Sequence, residues 1–128
     1  MRIAIIGAAG KVGALTVAAS VAAGHHTVAI ARNPERVPSP PGPGLLSKLA
    51  GDVLDAASID AALTGVDAVV CTFGAPLNWD TLTHTPDLCA RGTANIIDAM
   101  RRHAVARLVC MTAIGVGDSR GHGRWVFR

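Results

Sequence analysis

The sequence predicts one α/β domain on a doubly wound parallel sheet with strand order 3-2-1-4-5. Three observations predict it. Short apolar runs recur at 2–6, 27–31, 45–50, 68–73 and 107–111, and several lack the polar alternation of a half-solvated strand. Segments of helical period alternate with them, the pattern of strand–helix–strand crossovers. The first run flows directly into three glycines at three-residue spacing, Gly7-Ala-Ala-Gly10-Lys-Val-Gly13, and an Ala-rich helical segment follows at once. Right-handed crossovers then place the reversal of strand order between strands one and four.

Residues 2–6 form strand one. Residues 11–23 form helix one, with Val12, Leu15, Ala19 and Ala22 on one face, and Gly24 ends it. His25 and His26 fall in the next turn, where adjacent histidines are more often solvated than ligands. Thr27–Ala31 is strand two. Residues 33–44 hold five of the seven prolines and read as a stiff extended loop in place of a helix. Leu45–Ala50 is a weak strand three, and Gly51–Asp55 a turn. Asp55 is placed to cap a helix whose inner face carries Ile59, Ala62, Leu63 and Val66. Ala68–Phe73 is strand four, and Gly74–Thr83 a loop. A long helix over 86–104 turns Leu88, Thr93, Ile96, Ile97, Met100 and Ala104 inward. Arg101, Arg102 and His103 suit the negative end of its dipole. Arg107–Met111 is strand five, and Thr112–Arg128 shows no clear element.

Each glycine of the first turn has a physical task. Gly7 lets the chain leave the strand sharply, Gly10 lets backbone N–H groups approach a phosphate, and Gly13 lets the helix lie close on the sheet. The helix N-terminus adds unpaired donors and partial positive charge, so a pyrophosphate is favoured there. A tight strand–helix turn that binds nothing is the plain alternative. By the switch-point rule, a ligand would lie outside the carboxyl ends of strands one and four, where Gly7–Gly13 and Gly74 meet.

Composition narrows the function. With 128 residues, 50% hydrophobic and 16% charged, the chain can bury a core and is globular. No apolar run reaches the length of a membrane span, and Arg2 with a short apolar segment does not make a signal peptide. A cytoplasmic protein is expected. A formal charge of +3 favours anionic ligands, yet the basic residues are dispersed and aromatics are only 3%, which argues against nucleic acid. Cys71, Cys89 and Cys110 form no C-x-x-C pair and no zinc spacing; buried free thiols are expected, and no metal.

Ile-Ile-Gly7-Ala-Ala-Gly10-Lys-Val-Gly13, Ala31-Arg32-Asn-Pro, Gly51-Asp52-Val-Leu-Asp55, Asp67-Ala-Val-Val70 and Gly92-Thr-Ala-Asn95-Ile-Ile together resemble the atypical short-chain dehydrogenases. The similarity is greatest to the NAD(P)H-binding group that includes biliverdin reductase B/flavin reductase and the NmrA-like proteins. It covers nearly the whole chain and implies a Rossmann-type fold. It also implies backbone contacts from Ala8, Ala9, Gly10, Lys11 and Val12 to the pyrophosphate. Asp52 and the Val53 N–H would approach the adenine, and Gly74 and Ala75 would lie beside the cofactor. Thr112, at the end of strand five, would sit near nicotinamide and substrate as the candidate catalytic residue. The plain alternatives are that Asp52 is a turn-former capping its own backbone and Thr112 a strand-end hydroxyl bonded to nearby backbone.

Cofactor choice turns on the end of strand two. An NAD site offers an acid there for the ribose 2′-hydroxyl. This chain offers Arg32, followed by Arg36, and a guanidinium fork suits a 2′-phosphate. NADP is therefore expected over NAD, with two solvated loop arginines as the alternative. The chain contains no tyrosine, so it holds no Tyr-x-x-x-Lys proton relay. The reductases it resembles work without that relay on planar, electron-poor acceptors such as flavin or biliverdin. An NADP(H) sensor without turnover, as in NmrA-like proteins, and a degenerate structural domain are the other expectations. The family continues past strand five, and Gly121–Phe127 looks like the opening of that continuation, so residues 113–128 read as the start of an incomplete substrate region. A chain cut there would expose strand five as a sheet edge prone to self-association.

Overall fold

The computed structural model describes residues 1–74 and 88–111. Five parallel strands form one sheet in the order expected: β1 (Arg2–Ile6), β2 (His26–Ala31), β3 (Leu46–Ala50), β4 (Ala68–Cys71) and β5 (Arg107–Cys110), arranged β3-β2-β1-β4-β5. Helix α1 (Lys11–Ala22) crosses from β1 to β2. Helix α2 (Ala56–Ala62) crosses from β3 to β4, and α3 (Leu88–Arg102) precedes β5. Between β2 and β3 there is no long helix, only a 3-10 turn at Pro34–Arg36.

The side-chain alternation of the strands divides the core into two layers. Ala4, Ile6, Val28, Ile30, Val69 and Cys71 face α2 and α3, where Ile59, Leu63, Ile96 and Met100 close over them. Ile5, Ala29 and Ala31 face the opposite way, against Val17 and Val21 of α1 and Val37 of the proline-rich loop. The central strands are thus buried on both faces, which is why they read as unbroken apolar runs.

Helix α1 presents the opposite face to that expected. Gly13, Val17, Ser20 and Val21 are buried, whereas Leu15 is 73% exposed and Val12 45%. Val12, Leu15, Ala19 and Ala22 do share a face, but it is the solvent side. The cause is the turn: Gly13 must face the sheet, and the remaining residues follow at helical spacing. Ser20 is tolerated inside because Thr27 donates to its hydroxyl at 2.6 Å.

Other boundaries shift for local reasons. His26 joins β2 and its Nε2 lies 3.0 Å from Ser47 Oγ. Strand β4 ends at Cys71, so Thr72 and Phe73 lie past it, although the Thr72 N–H still donates to the Ile6 carbonyl at 2.9 Å. Asp55 caps α2 as expected, accepting from the N–H groups of Ala57 and Ser58. Ala104 is exposed rather than inward, at φ 54 in the turn after α3. Near that turn Arg102 Nε meets Asp60 Oδ1 at 2.7 Å, a hydrogen bond that holds the Asp60 carboxyl below its usual range. Of the three thiols only Cys71 is buried; Cys89 and Cys110 are exposed. The Gly74–Thr83 loop beyond Gly74, Thr112 and the tail lie outside the described residues. No helix among the described residues is long and apolar enough to cross a membrane.

Candidate nucleotide site

The glycine turn is built almost without slack. Gly7 sits at φ +84, and a Cβ there would lie 2.8 Å from the Phe73 amide nitrogen. A Cβ on Gly13 would collide with the Gly7 carbonyl and lie 2.8 Å from Ala8 Cα. Both positions therefore exclude any side chain on fold grounds alone. Gly10 differs. Its backbone is extended, at φ −75, and a Cβ there would have only the Gly7 carbonyl as neighbour, at 3.4 Å. The side of Gly10 that a side chain would fill opens to solvent space.

The N–H groups of Gly7 and Ala8 both donate to the Ile30 carbonyl, at 3.1 and 3.2 Å, and that of Gly10 to the Gly7 carbonyl at 3.1 Å. These bonds fasten the turn to β2 and to itself. Ala14 is the first residue whose N–H reaches back into the turn, to the Gly10 carbonyl at 2.9 Å. Among the described residues the N–H groups of Ala9, Lys11 and Val12 have no such internal acceptor, as geometry requires at a helix start. The stretch Ala8–Val12 thus divides: Ala8 and Gly10 use their donors within the fold, and Ala9, Lys11 and Val12 keep theirs.

Beside this turn lies an open cleft of about 440 Å³ at the carboxyl ends of β1, β2, β3 and β4. Gly7, Ala9, Gly10, Arg32, Asp52, Val53 and Gly74 line it, together with Thr72, Phe73 and Leu88. A hollow that shares Ala9 and Arg32 with the cleft adds Asn33 and Arg36. Seven of the expected residues therefore meet in one cleft, and Arg36 joins at its rim. Ala8 is fully buried behind the turn, Gly13 faces the sheet, and Lys11 and Val12 lie on the exposed first turn of α1. Ala75 and Thr112 lie outside the described residues.

Asp52 has the turn role: its Oδ1 accepts from the Leu54 N–H at 2.9 Å, two residues on. It nevertheless lines the cleft, so turn and site share the residue.

Three supports were not assigned from sequence. Thr72 Oγ1 donates to the Ile6 carbonyl at 2.9 Å, tying the β4 exit to the β1 exit. Asn95 Nδ2 donates to the Val53 carbonyl at 2.8 Å, pinning the Asp52–Leu54 turn to α3. Gly92 lets that helix approach, since a Cβ would lie 2.9 Å from Val53 Cγ2. The Gly92-Thr-Ala-Asn95 string carried the signal, but its partner Val53 is distant in sequence.

The profile of the NAD(P)H-binding family matches residues 7–128. The chain belongs to the NAD(P)H-binding family. Uncharacterized proteins of Mycobacterium tuberculosis and Mycobacterium bovis are each 33% identical to it over 111 residues, covering 85% of this chain and 12% of theirs. A solved protein of Burkholderia pseudomallei, described as exported, is 29% identical, with a TM-score of 0.66 over 90% of this chain and 49% of its own. The oxidoreductase ylbE from Lactococcus lactis has a TM-score of 0.75 at 23% identity, covering 99% of this chain and 55% of its own. The Bordetella bronchiseptica enzyme WbmH, solved with NAD+, has a TM-score of 0.67 at 22% identity, covering 84% and 37%. At such identities the last two speak for the Rossmann-type fold alone. The chain thus spans about half the length of the first two solved structures, and far less of the mycobacterial relatives.

Proposed function

We propose that this chain is the nucleotide-binding part of an NADPH-dependent oxidoreductase that reduces a planar acceptor such as flavin or biliverdin. The observation that carries the cofactor choice is the hollow at the end of β2, lined by Ala9, Arg32, Asn33 and Arg36 with no acid among them. A 2′-phosphate there would gain charge-assisted bonds from guanidinium groups, whereas an NAD site would present a carboxylate.

The residues fit a dinucleotide. Gly10 leaves open the space a pyrophosphate needs, and Ala9, Lys11 and Val12 keep N–H donors for it. The Asp52–Leu54 turn, held by Asn95, gives an apolar wall in Val53 and Leu54 for an adenine. The cofactor, when bound, supplies the hydride. The protein's part is to hold and orient. Gly74, Ala75 and Thr112 are the proposed residues beside the nicotinamide, with Thr112 orienting substrate or carboxamide. The acceptor proposed is one that takes hydride directly by stacking, on the resemblance to the flavin and biliverdin reductases. WbmH carries NAD+ on a similar fold, so NAD is the competing cofactor. The surroundings proposed are cytoplasmic.

Titration of NADPH and NADH against the wild type and Arg32→Ala tests the assignment. The substitution is expected to cost NADPH binding about 1.5–3 kcal/mol, as for a hydrogen bond to a charged group, and to leave NADH nearly unchanged. Equal losses for both would overturn the assignment. Added flavin should then draw hydride from NADPH. Tight binding without any consumption, in a chain extended past Arg128, would instead point to an NADP(H) sensor of the NmrA-like kind.

A further inference from the structure

Cys71 and Cys110 are paired residues. They lie directly opposite each other at the carboxyl ends of β4 and β5, in the register Cys71↔Cys110. The Met111 N–H donates to the Cys71 carbonyl at 3.0 Å, so the ladder is intact through this pair. Residues so paired project their side chains to the same face of the sheet. Neighbouring strands run about 4.8 Å apart, inside the roughly 4.4–6.8 Å between Cα atoms that a disulfide accepts. The two thiols contrast in setting: Cys71 is 1% exposed, and Cys110 is open to solvent. The third thiol, Cys89, is exposed at the start of α3 and has no such opposite number in the sheet.

We infer that Cys71 and Cys110 are a redox pair that closes to a cross-strand disulfide by exchange with a low-molecular-weight disulfide. The inference rests on the register and exposure of the two strands and does not depend on the nucleotide reading.

Exposure sets the order of events. The Cys110 thiolate attacks one sulfur of the external disulfide and releases one thiol, leaving a mixed disulfide on Cys110. The Cys71 thiol, after giving its proton to water, attacks the Cys110 sulfur. The second external thiol leaves and the protein disulfide remains. Two protein thiols are oxidised and one external disulfide is reduced to two thiols. Burial pushes the Cys71 thiol up to about 12, and the adjacent Cys110 adds to the rise. Cys71 is therefore the poor first nucleophile and acts only once the mixed disulfide has formed beside it.

The test uses the full 128-residue chain carrying Cys89→Ser, equilibrated in mixtures of reduced and oxidised glutathione. Samples are acid-quenched, alkylated and weighed by intact-mass spectrometry. Both thiols should vanish together, with loss of two hydrogens, no glutathione adduct and no dependence on protein concentration. Cys71→Ser, added to the same chain, should instead accumulate one glutathione on Cys110. Peptide mapping of the wild type should find the same Cys71–Cys110 link. Three results would overturn the inference: a stable glutathione adduct on Cys110 beside a free Cys71, a disulfide between two chains through Cys110, or two alkylatable thiols at every ratio.

Discussion

The corner formed by β1, α1 and β2 and the flank formed by β4 and β5 share one sheet, yet they are finished very differently. At the corner, Ile5, Ile6, Val28 and Ile30 are at most 2% exposed, and two glycines, Gly7 and Gly13, let backbone pack on backbone. At the flank, β5 pairs with β4 alone among the described residues, and Val109 and Met111 are 54% and 47% exposed. On the same side of the sheet as α1, Val70 of β4 is only partly buried. The corner is thus closely packed around the glycine turn. Among the described residues the flank leaves the outer edge of β5 unpaired and apolar side chains exposed, the features that invite another chain segment.

The largest effect should come from breaking the corner. Gly13→Val drives a side chain into the Gly7 carbonyl and Ala8 backbone, neither of which can move without releasing β1 from α1. Loss of cooperative thermal unfolding is expected, and a variant as stable as the wild type would show the turn to be looser than described.

The flank is sharpened by a charge. The 128-residue chain is expected to self-associate through the β5 edge and to bind a hydrophobic dye. Val109→Lys should shift its sedimentation toward monomer, because an edge charge opposes strand addition. A dye-negative monomer in the wild type would contradict the open-edge view.

The smallest effect lies outside both regions. Asp55→Ala removes the cap that accepts from Ala57 and Ser58 and should cost about 1 kcal/mol of stability, read by denaturant unfolding. NADPH affinity should hardly change, which separates a cap near the cleft from a residue of the cleft.

The same contrast explains what could be read from the chain beforehand. Strand order followed from β–α alternation, and the cleft from Gly7–Gly13, because these depend on neighbours in sequence. The Asp55 cap was legible for the same reason. The facing of α1 was not. Its residues are small or apolar nearly all round, so no polar side marks solvent, and Gly13 alone decides the rotation. Thr72 and Asn95 were illegible as supports because their acceptors, Ile6 and Val53, lie 66 and 42 residues away. Ala104 continues the helical period on paper, but the chain has already turned there.

The central claim is that the open side of Gly10 is the phosphate cradle of this NAD(P)H-binding chain. Titrating NADPH into wild type and Gly10→Val, with thermal unfolding recorded on the same samples, tests it most directly. Gly10 has an ordinary backbone conformation and no protein atom nearer than 3.4 Å to a new Cβ, so the variant should keep its fold. Its side chain would stand where the pyrophosphate must lie, so NADPH binding should disappear. A folded Gly10→Val that binds NADPH as tightly as the wild type would contradict the account.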